Sequence, residues 1–404
     1  AIEAVASRNY GALSTLGQRE LTGIGERMFR NAGTLFRGDA KVETYATSST
    51  RVMRSRDCLV SGLKKYNPDL NVTYAVSNRT GRTEQEVRGY YISEDEIQES
   101  KNRNDLRPLY RKIWKKSELD AFRKRIFRTV PDSLDIRSAI YSFYGSGQAC
   151  IACDSNLPDI TRRLTTDELY NAWLRNNLSW YGNSCLWDGG IHTRNYRMGG
   201  GIVQCIMDDA DAVIAGKKDV SATLRFSHDT YLLPVISFMN LHGVNFPTLQ
   251  EAAEGFLNWE NVCLGTNVQL FFYRNRAGKV LVKILKNEKE TTVDSIKPTA
   301  KGVYYRWDDL KNFWNSRMKL TANDRKIVGV GGLSEAKYGV STAKLIRNEG
   351  IADMTVLFLS PWHPDTLRAL ASYCRANGLR FTMDEIMDRR NKGPKKIYRD
   401  NVDE

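Results

Sequence analysis

Twice in this chain a short apolar run of strand composition breaks into a polar, hydroxyl-bearing turn and re-emerges as a helix. The first instance runs through Val42–Thr47, turns at Thr47-Ser48-Ser49-Thr50 and continues as a helix from about Arg51 to Lys65. The second runs through Ser221–Phe226, turns at Ser227-His228-Asp229 and continues as a helix over Thr230–Leu241. A change of apolar period from 2 to 3.6 across such a turn marks strand-to-helix units and argues for an α/β fold. Open sheets of that kind bind ligands beyond the carboxyl ends of their strands, which is where both turns lie. A helix from about Ser14 to Phe36 precedes the first unit. Its apolar residues Leu21, Ile24, Met28, Ala32 and Leu35 step by 3, 4, 4 and 3, which is one buried stripe, and Ser14 or Thr15 can cap it.

The rest of the chain organises around those units. Residues 80–217 read as mostly helical, with two aromatic-rich amphipathic stretches at Leu106–Phe127 and Thr166–Tyr181, a pattern closer to a helical insertion than to alternating strands and helices. Val268–Arg274 and Lys279–Leu285 form a hairpin about the turn Asn275-Arg276-Ala277-Gly278. This body closes near Tyr304–Trp314. Lys319–Lys326 then reads as a polar linker. A strand at Ala352–Ser360, a helix at Pro364–Asn377 and a strand at Arg380–Met383 ending on Asp384 and Glu385 make one β-α-β unit, too little to bury a sheet alone. With 404 residues, the chain has enough length for two or three domains, or for one large α/β domain with an insertion.

Charge and cysteine content narrow the function classes. Lysine and arginine total 60 against 47 acidic residues, a net charge of +13. Part of the excess is local: Lys101 to Arg128 holds eleven basic and three acidic residues. A solvated helical face and a surface that attracts a polyanion both fit this run, and the sign of charge does not separate a phosphorylated small molecule from nucleic acid. No zinc finger, RNA-recognition signature or basic-leucine pattern supports nucleic acid. No stretch approaches the roughly 18 apolar residues that span a bilayer. Cys150 and Cys153 form a single CxxC, and the four histidines (His192, His228, His242, His363) supply no further ligands at zinc-site spacing. A local disulfide and two buried thiols are both open at that motif.

Two sites carry the chemistry. Arg51 stands at the opening of a helix, where first-turn N–H groups and the helix dipole favour an anion and a guanidinium offers a fork matched to phosphate oxygens. His228 and Asp229 stand at a second strand exit. There an imidazole can hold a phosphoryl oxygen and a carboxylic acid can protonate a departing alkoxide.

Three blocks containing these residues resemble the histidine acid phosphatase family, clade 2 of the histidine phosphatase superfamily, and within it the bacterial multiple inositol polyphosphate phosphatase and phytase-like branch. GALSTLGQRELTGIGERMFRNAGTLF is similar to the family's L-T-x-x-G helix, YATSSTRVMRSRDCLVSGL to its S-S-x-x-R block, and LRFSHDTYLLPVISFMNL to its His-Asp block. The hairpin and the closing YYRWDDL fit as well, so the resemblance spans roughly residues 10 to 315. It implies a phosphoglycerate-mutase-like three-layer α/β sandwich with a helical cap insertion. The core would take residues 1–79 and 218–316 and the cap 80–217, with the C-terminal β-α-β extension (317–404) lying outside the resemblance.

The resemblance also implies roles. Arg51 binds the phosphate, His228 contacts the phosphoryl group and Asp229 donates the proton to the leaving group. Arg54 and Arg56, with Lys64 and Lys65, would flank the substrate, and Ser55 takes the place of a small packing residue. A nucleophilic histidine forms a phosphohistidine that water hydrolyses, with no metal or cofactor. The partner is then a small-molecule phosphate ester, plausibly an inositol polyphosphate such as phytate, and the protein is exported, for example to the periplasm. In one respect the chain departs from the family. The nucleophile lies in an Arg-His-Gly-x-Arg motif ahead of the L-T-x-x-G helix, and this chain contains no Arg-His-Gly. The expectation is that the motif lies upstream of Ala1 and that the chain without it is inactive. Two alternatives stand beside the enzyme: a non-catalytic module that binds a phosphate ligand, and an accessory part of a larger carbohydrate-active protein such as a glycoside hydrolase.

Overall fold

The computed structural model describes residues 11–47, 49–76, 107–129, 134–152, 160–185, 193–299 and 302–322, with four short strands beyond them at 353–356, 380–383, 387–388 and 393–394. The chain divides into two compact units, one of Ala1–Glu86 with Arg103–Lys319 and one of Val87–Asn102 with Leu320–Glu404.

The first unit is built on a parallel sheet of three strands, β1 (Lys41–Ala46), β2 (Asn71–Val76) and β3 (Ala222–Phe226), in the order β2-β1-β3. The register pairs Val42 with Ala222, Thr44 with Leu224 and Ala46 with Phe226, so these side chains share one face. That face packs on α1 (Thr15–Ala32) and α2 (Thr50–Lys64) through Ile24, Met28, Phe29, Leu59 and Leu63. The expected apolar stripe of the first helix is this contact. Ser14 caps α1 by accepting from Gly17 N at 3.1 Å. The helix stops at Ala32 rather than at Phe36, and Gly33–Leu35 continue as a 3-10 turn.

The other face carries Glu43, Tyr45 and Arg225. It meets α7 (Thr193–Ile214) and the segment after it through ion pairs: Lys218 Nζ lies 2.6 Å from both Glu43 and Asp209, and Arg225 Nη2 lies 2.7 Å from Asp209. Helices on one face and α7 on the other give the α/β layering. From β3 the chain passes into α8 (Asp229–Phe238), shorter than the expected Thr230–Leu241 at its C-terminal end.

Four further helices, α3 (Arg107–Ile113), α4 (Lys116–Ile126), α5 (Ile136–Ala152) and α6 (Thr166–Ser184), share a core of Ile113, Trp114, Phe122, Ile140, Leu164 and Leu178. Cys150 is a free, buried thiol, which removes it from the disulfide reading. Its CxxC partner Cys153 lies outside the described residues.

Two short helices, α9 (Leu249–Gly255) and α10 (Asn258–Asn261), precede the hairpin of β4 (Val268–Arg274) and β5 (Val280–Lys286). Asn275 N donates to Lys279 O, Gly278 N donates to Asn275 O, and Gly278 adopts φ +77°, a conformation that excludes most side chains. β6 (Lys289–Glu290) and β7 (Tyr304–Arg306) add to β5, and α11 (Trp307–Ala322) closes the unit. α11 runs through residues expected to begin a linker at Lys319. Its Leu310 and Trp314 are fully buried with Tyr305, and Met318, one turn further on, packs on the same core.

In the second unit β8 (Asp353–Val356) and β9 (Arg380–Met383) pair in parallel, and β10 (Met387–Asp388) and β11 (Gly393–Pro394) pair antiparallel. The helix expected at Pro364–Asn377 and the carboxylates Asp384 and Glu385 lie outside the described residues.

Candidate functional site

β1 and β3 are parallel neighbours in register, so the turns that follow them leave the sheet at the same edge. Thr47 N extends the ladder by one bond, donating to Phe226 O at 3.2 Å. Each strand then gives way to a helix whose N-cap side chain makes no capping bond: Ser49 before α2 and His228 before α8. Two helix N-termini without a bond from their N-cap side chains thus open side by side, a setting that favours an anion, although in α8 the Thr230 N–H is taken by Asp229 Oδ1.

The side chains at this edge converge. Arg51 Nη2 lies 3.5 Å from His228 Nδ1, and Thr47 Oγ1 lies 3.5 Å from His228 Nε2. Residues 51 and 228 are far apart in sequence, and only the β1–β3 pairing brings them together. Guanidinium nitrogens donate and never accept, so Arg51 faces the lone pair of Nδ1 and the neutral ring carries its proton on Nε2. Thr47, buried at the strand exit, lies beside that N–H. No carboxylate is bonded to Arg51 among the described residues. Asp229 opens α8, is exposed, and accepts from Thr230 N at 2.8 Å. Tyr231 lies with its ring 6.0 Å from the imidazole. Gly11, at φ +81°, passes beside the arginine: a Cβ there would lie 3.7 Å from Arg51 Nη1.

Burial holds His228 below the ordinary imidazole pKa, the Arg51 charge adds to this, and Asp229 opposes it. The ordinary value is about 6.5, so at that pH the free protein carries a ring that is more than half neutral. In a proton NMR titration the His228 midpoint is expected below 6.5 and should rise only part of the way in Arg51→Ala, because burial is the larger cause. Adding inorganic phosphate should raise it, since a bound dianion favours the imidazolium. A midpoint that phosphate leaves unmoved would remove the anion from this edge.

The flanking residues divide. Arg54, one turn along α2, is exposed and donates to Gln18 Oε1 at 3.2 and 2.9 Å, which ties it to α1. Arg56 does not flank the site. It is 6% exposed, bonds Asp57 Oδ1 at 3.0 Å and Ala75 O at 3.4 Å, and its guanidinium lies over the Tyr74 ring, so its charge is spent inside the fold. Lys64 and Lys65 end α2, about 20 Å from its start at 1.5 Å per residue. Lys65 pairs there with Glu26 at 3.0 Å. Ser55 donates to Arg51 O at 2.9 Å, a back-bond that leaves its small side chain against the helix.

Sequence reasoning passed over Thr47 and Gly11 as site residues. Thr47 carried a partial signal as the first hydroxyl beyond β1, but its meeting with His228 depends on the β1–β3 pairing, which is not readable from sequence. His242 pairs with Asp294 at 3.0 Å, and His192 and His363 lie outside the described residues. Among the described residues no three His, Cys, Asp or Glu side chains gather as metal ligands, and no described helix is long and apolar enough to cross a membrane.

No family model matches this sequence, and no curated protein matches it. Solved structures do. The multiple inositol polyphosphate phosphatase of Bifidobacterium longum, in complex with inositol hexasulfate, superposes with a TM-score of 0.62 at 14% identity, over 77% of this chain and 80% of that one. Its apo form gives 0.60 at 15% identity over 77% and 81%. The phytase of D. castellii gives 0.52 at 14% identity over 77% and 67%. At such identities the likeness is one of fold. This chain has the α/β fold of these phosphatases.

Proposed function

We propose that this chain is the body of a phosphomonoester hydrolase of the histidine acid phosphatase type, acting on small phosphate esters of the inositol polyphosphate class. The observation that carries the reading is the meeting of Arg51 with His228. A guanidinium beside a neutral imidazole, at two helix N-termini and, among the described residues, with no carboxylate bonded to the arginine, gathers positive charge and hydrogen-bond donors at one edge. Those donors suit the oxygens of a tetrahedral phosphoryl group, and Asp229 stands at the same edge.

In this reading Arg51 and the Nε2–H of His228 hold the phosphoryl oxygens. A histidine carried by an Arg-His-Gly segment upstream of residue 1 attacks phosphorus. The P–O bond to the ester breaks, and Asp229 delivers its proton to the departing alkoxide oxygen. Asp229, now a carboxylate, takes a proton from water as that water attacks the phosphohistidine. Inorganic phosphate and the free histidine result, so protons and charge balance over the cycle.

The basic helical region supports a polyanionic substrate. Arg111, Lys112, Lys115, Lys116, Lys124 and Arg128 are exposed on and beside α3 and α4. Arg125 is an exception within that run, taken by Glu168 at 2.5 Å. Export from the cytoplasm belongs to the same proposal.

Protein extended upstream through the Arg-His-Gly segment is expected to release phosphate from phytate and from p-nitrophenyl phosphate without added metal. Rapid acid-free denaturation during turnover should trap a phosphohistidine on the upstream residue. Failure of the extended protein to hydrolyse either ester, with phosphate still shifting the His228 resonance, would instead identify a phosphate-binding module.

A further inference from the structure

On α6 and α10, outside the phosphate site, three aromatic side chains meet at the surface. Trp173 is half-buried and lies between Tyr170, at 5.5 Å between ring centroids, and Trp259, at 4.7 Å. The two outer rings are tilted by 47° and 41° against it and are 54% and 52% exposed. The middle ring is fixed. Its Nε1–H donates to Asn258 Oδ1 at 2.9 Å, Asn258 Nδ2 donates to Asn176 Oδ1 at 2.9 Å, and Asn258 N donates to Asn177 Oδ1 at 2.8 Å. A fixed indole in contact with two half-exposed rings presents a preorganised aromatic surface.

Its charge setting is opposite to that of the chain as a whole. Asp167 lies three residues before Tyr170 on the same helix, hence on the same side. Glu260 follows Trp259 directly. Both carboxylates are exposed, and neither makes a side-chain bond among the described residues. The neighbouring Glu168, by contrast, is spent on Thr165 N and Arg125. The cation that Glu260 acts on, Lys286, points its ammonium at His242 O and Asn261 Oδ1. Arg175, two residues past Trp173, is stacked on Tyr110 and Tyr141 instead.

We infer that this aromatic surface binds an organic cation of the quaternary ammonium class. Aromatic faces attract cations through their quadrupoles, and the nearby carboxylates add a complementary charge. The charge setting favours a cation over a sugar: a neutral pyranose could stack on either exposed ring but would gain nothing from the two carboxylates, whereas an ammonium gains from both the rings and the charges.

The test uses the 404-residue chain labelled with nitrogen-15 and follows its indole N–H resonances during titration with choline. The Trp173 and Trp259 signals are expected to shift saturably in the millimolar range. The neutral carbon isostere 3,3-dimethylbutanol should leave them in place. Trp259→Ala and Asp167→Asn should each weaken binding by about threefold or more, and Asp167→Asn, a surface change, keeps the test valid if the tryptophan variant folds poorly. In the upstream-extended protein, phosphate ester turnover should be unaffected by Asp167→Asn. An equal response to the isostere, tighter binding of methyl glucoside, or no saturable shift with choline would each overturn the inference.

Discussion

Asp229→Asn is expected to slow hydrolysis of an alkyl phosphate such as phytate by about 10²–10⁴-fold, the range over which a positioned proton donor contributes. The loss should fall on kcat with KM little changed, because Arg51 and His228 still hold the phosphoryl group. It should be much smaller for p-nitrophenyl phosphate, whose phenolate departs without a proton. That contrast isolates the role. A variant that merely disturbed the start of α8 would slow both esters alike, and equal losses on the two would remove Asp229 as the donor. His228→Ala should abolish turnover of both esters, since it takes away a phosphoryl contact needed whatever the leaving group. Unimpaired turnover in that variant would end the phosphatase reading. Steady-state kinetics on the upstream-extended protein, with both substrates, decides each point.

The second large effect concerns the scaffold under Arg51. Gly25 on α1 and Gly62 on α2 let two helices touch backbone to backbone. A Cβ on Gly25 would fall 2.1 Å from Leu59 O, and one on Gly62 would fall 2.1 Å from Thr22 O. The obstacle is main chain in both cases, so no rotamer change relieves it. Gly25→Ala must force the helices apart and loosen the contact of Ile24, Met28 and Phe29 with Leu59 and Leu63. The expected cost is about 2–4 kcal/mol, at the upper end for overpacking. Gly145→Ala on α5 is the control, because nothing lies within 4 Å of its Cβ position and replacing glycine inside a helix gains about 0.5–1 kcal/mol. Denaturant unfolding of the two variants measures both. A loss below about 1 kcal/mol for Gly25→Ala would mean that the crossing has slack. Because Arg51 begins α2, the same variant should also weaken the phosphate response of His228.

Much of the frame was legible before any coordinates. The stripe Leu21, Ile24, Met28 gave α1 and a hydroxyl cap at Ser14 or Thr15 gave its start to within a residue, because a helix end must satisfy its own N–H groups locally; the structure selects Ser14. The hairpin turn was legible for the same local reason. Strand β2 was overlooked although Asn71-Val72-Thr73-Tyr74-Ala75-Val76 alternates and is rich in strand formers. Its polar residues hid it, and its pairing with β1 is a non-local fact. Arg56 shows the opposite failure. Beside Arg51 and Arg54 in sequence it reads as one more cation, yet its place on α2 turns it inward to Asp57 and the Tyr74 ring. Helical rotation separates neighbours in a way that composition does not.

Sequence by itself determined the pieces: two strand-to-helix turns, the residue types each turn exposes, and the helix and hairpin boundaries to within a few residues. These depend on period, capping and turn chemistry, all of which act over fewer than ten residues or so. Tertiary structure alone decided that β1 and β3 are parallel neighbours. On that pairing depend the meeting of Arg51, Thr47 and His228 and the side of the imidazole that faces the guanidinium. Distance along the chain carries no information about which strands exchange hydrogen bonds. That choice is made on one shared face, where Val42 and Ala46 are buried and Leu224 and Phe226 are partly buried.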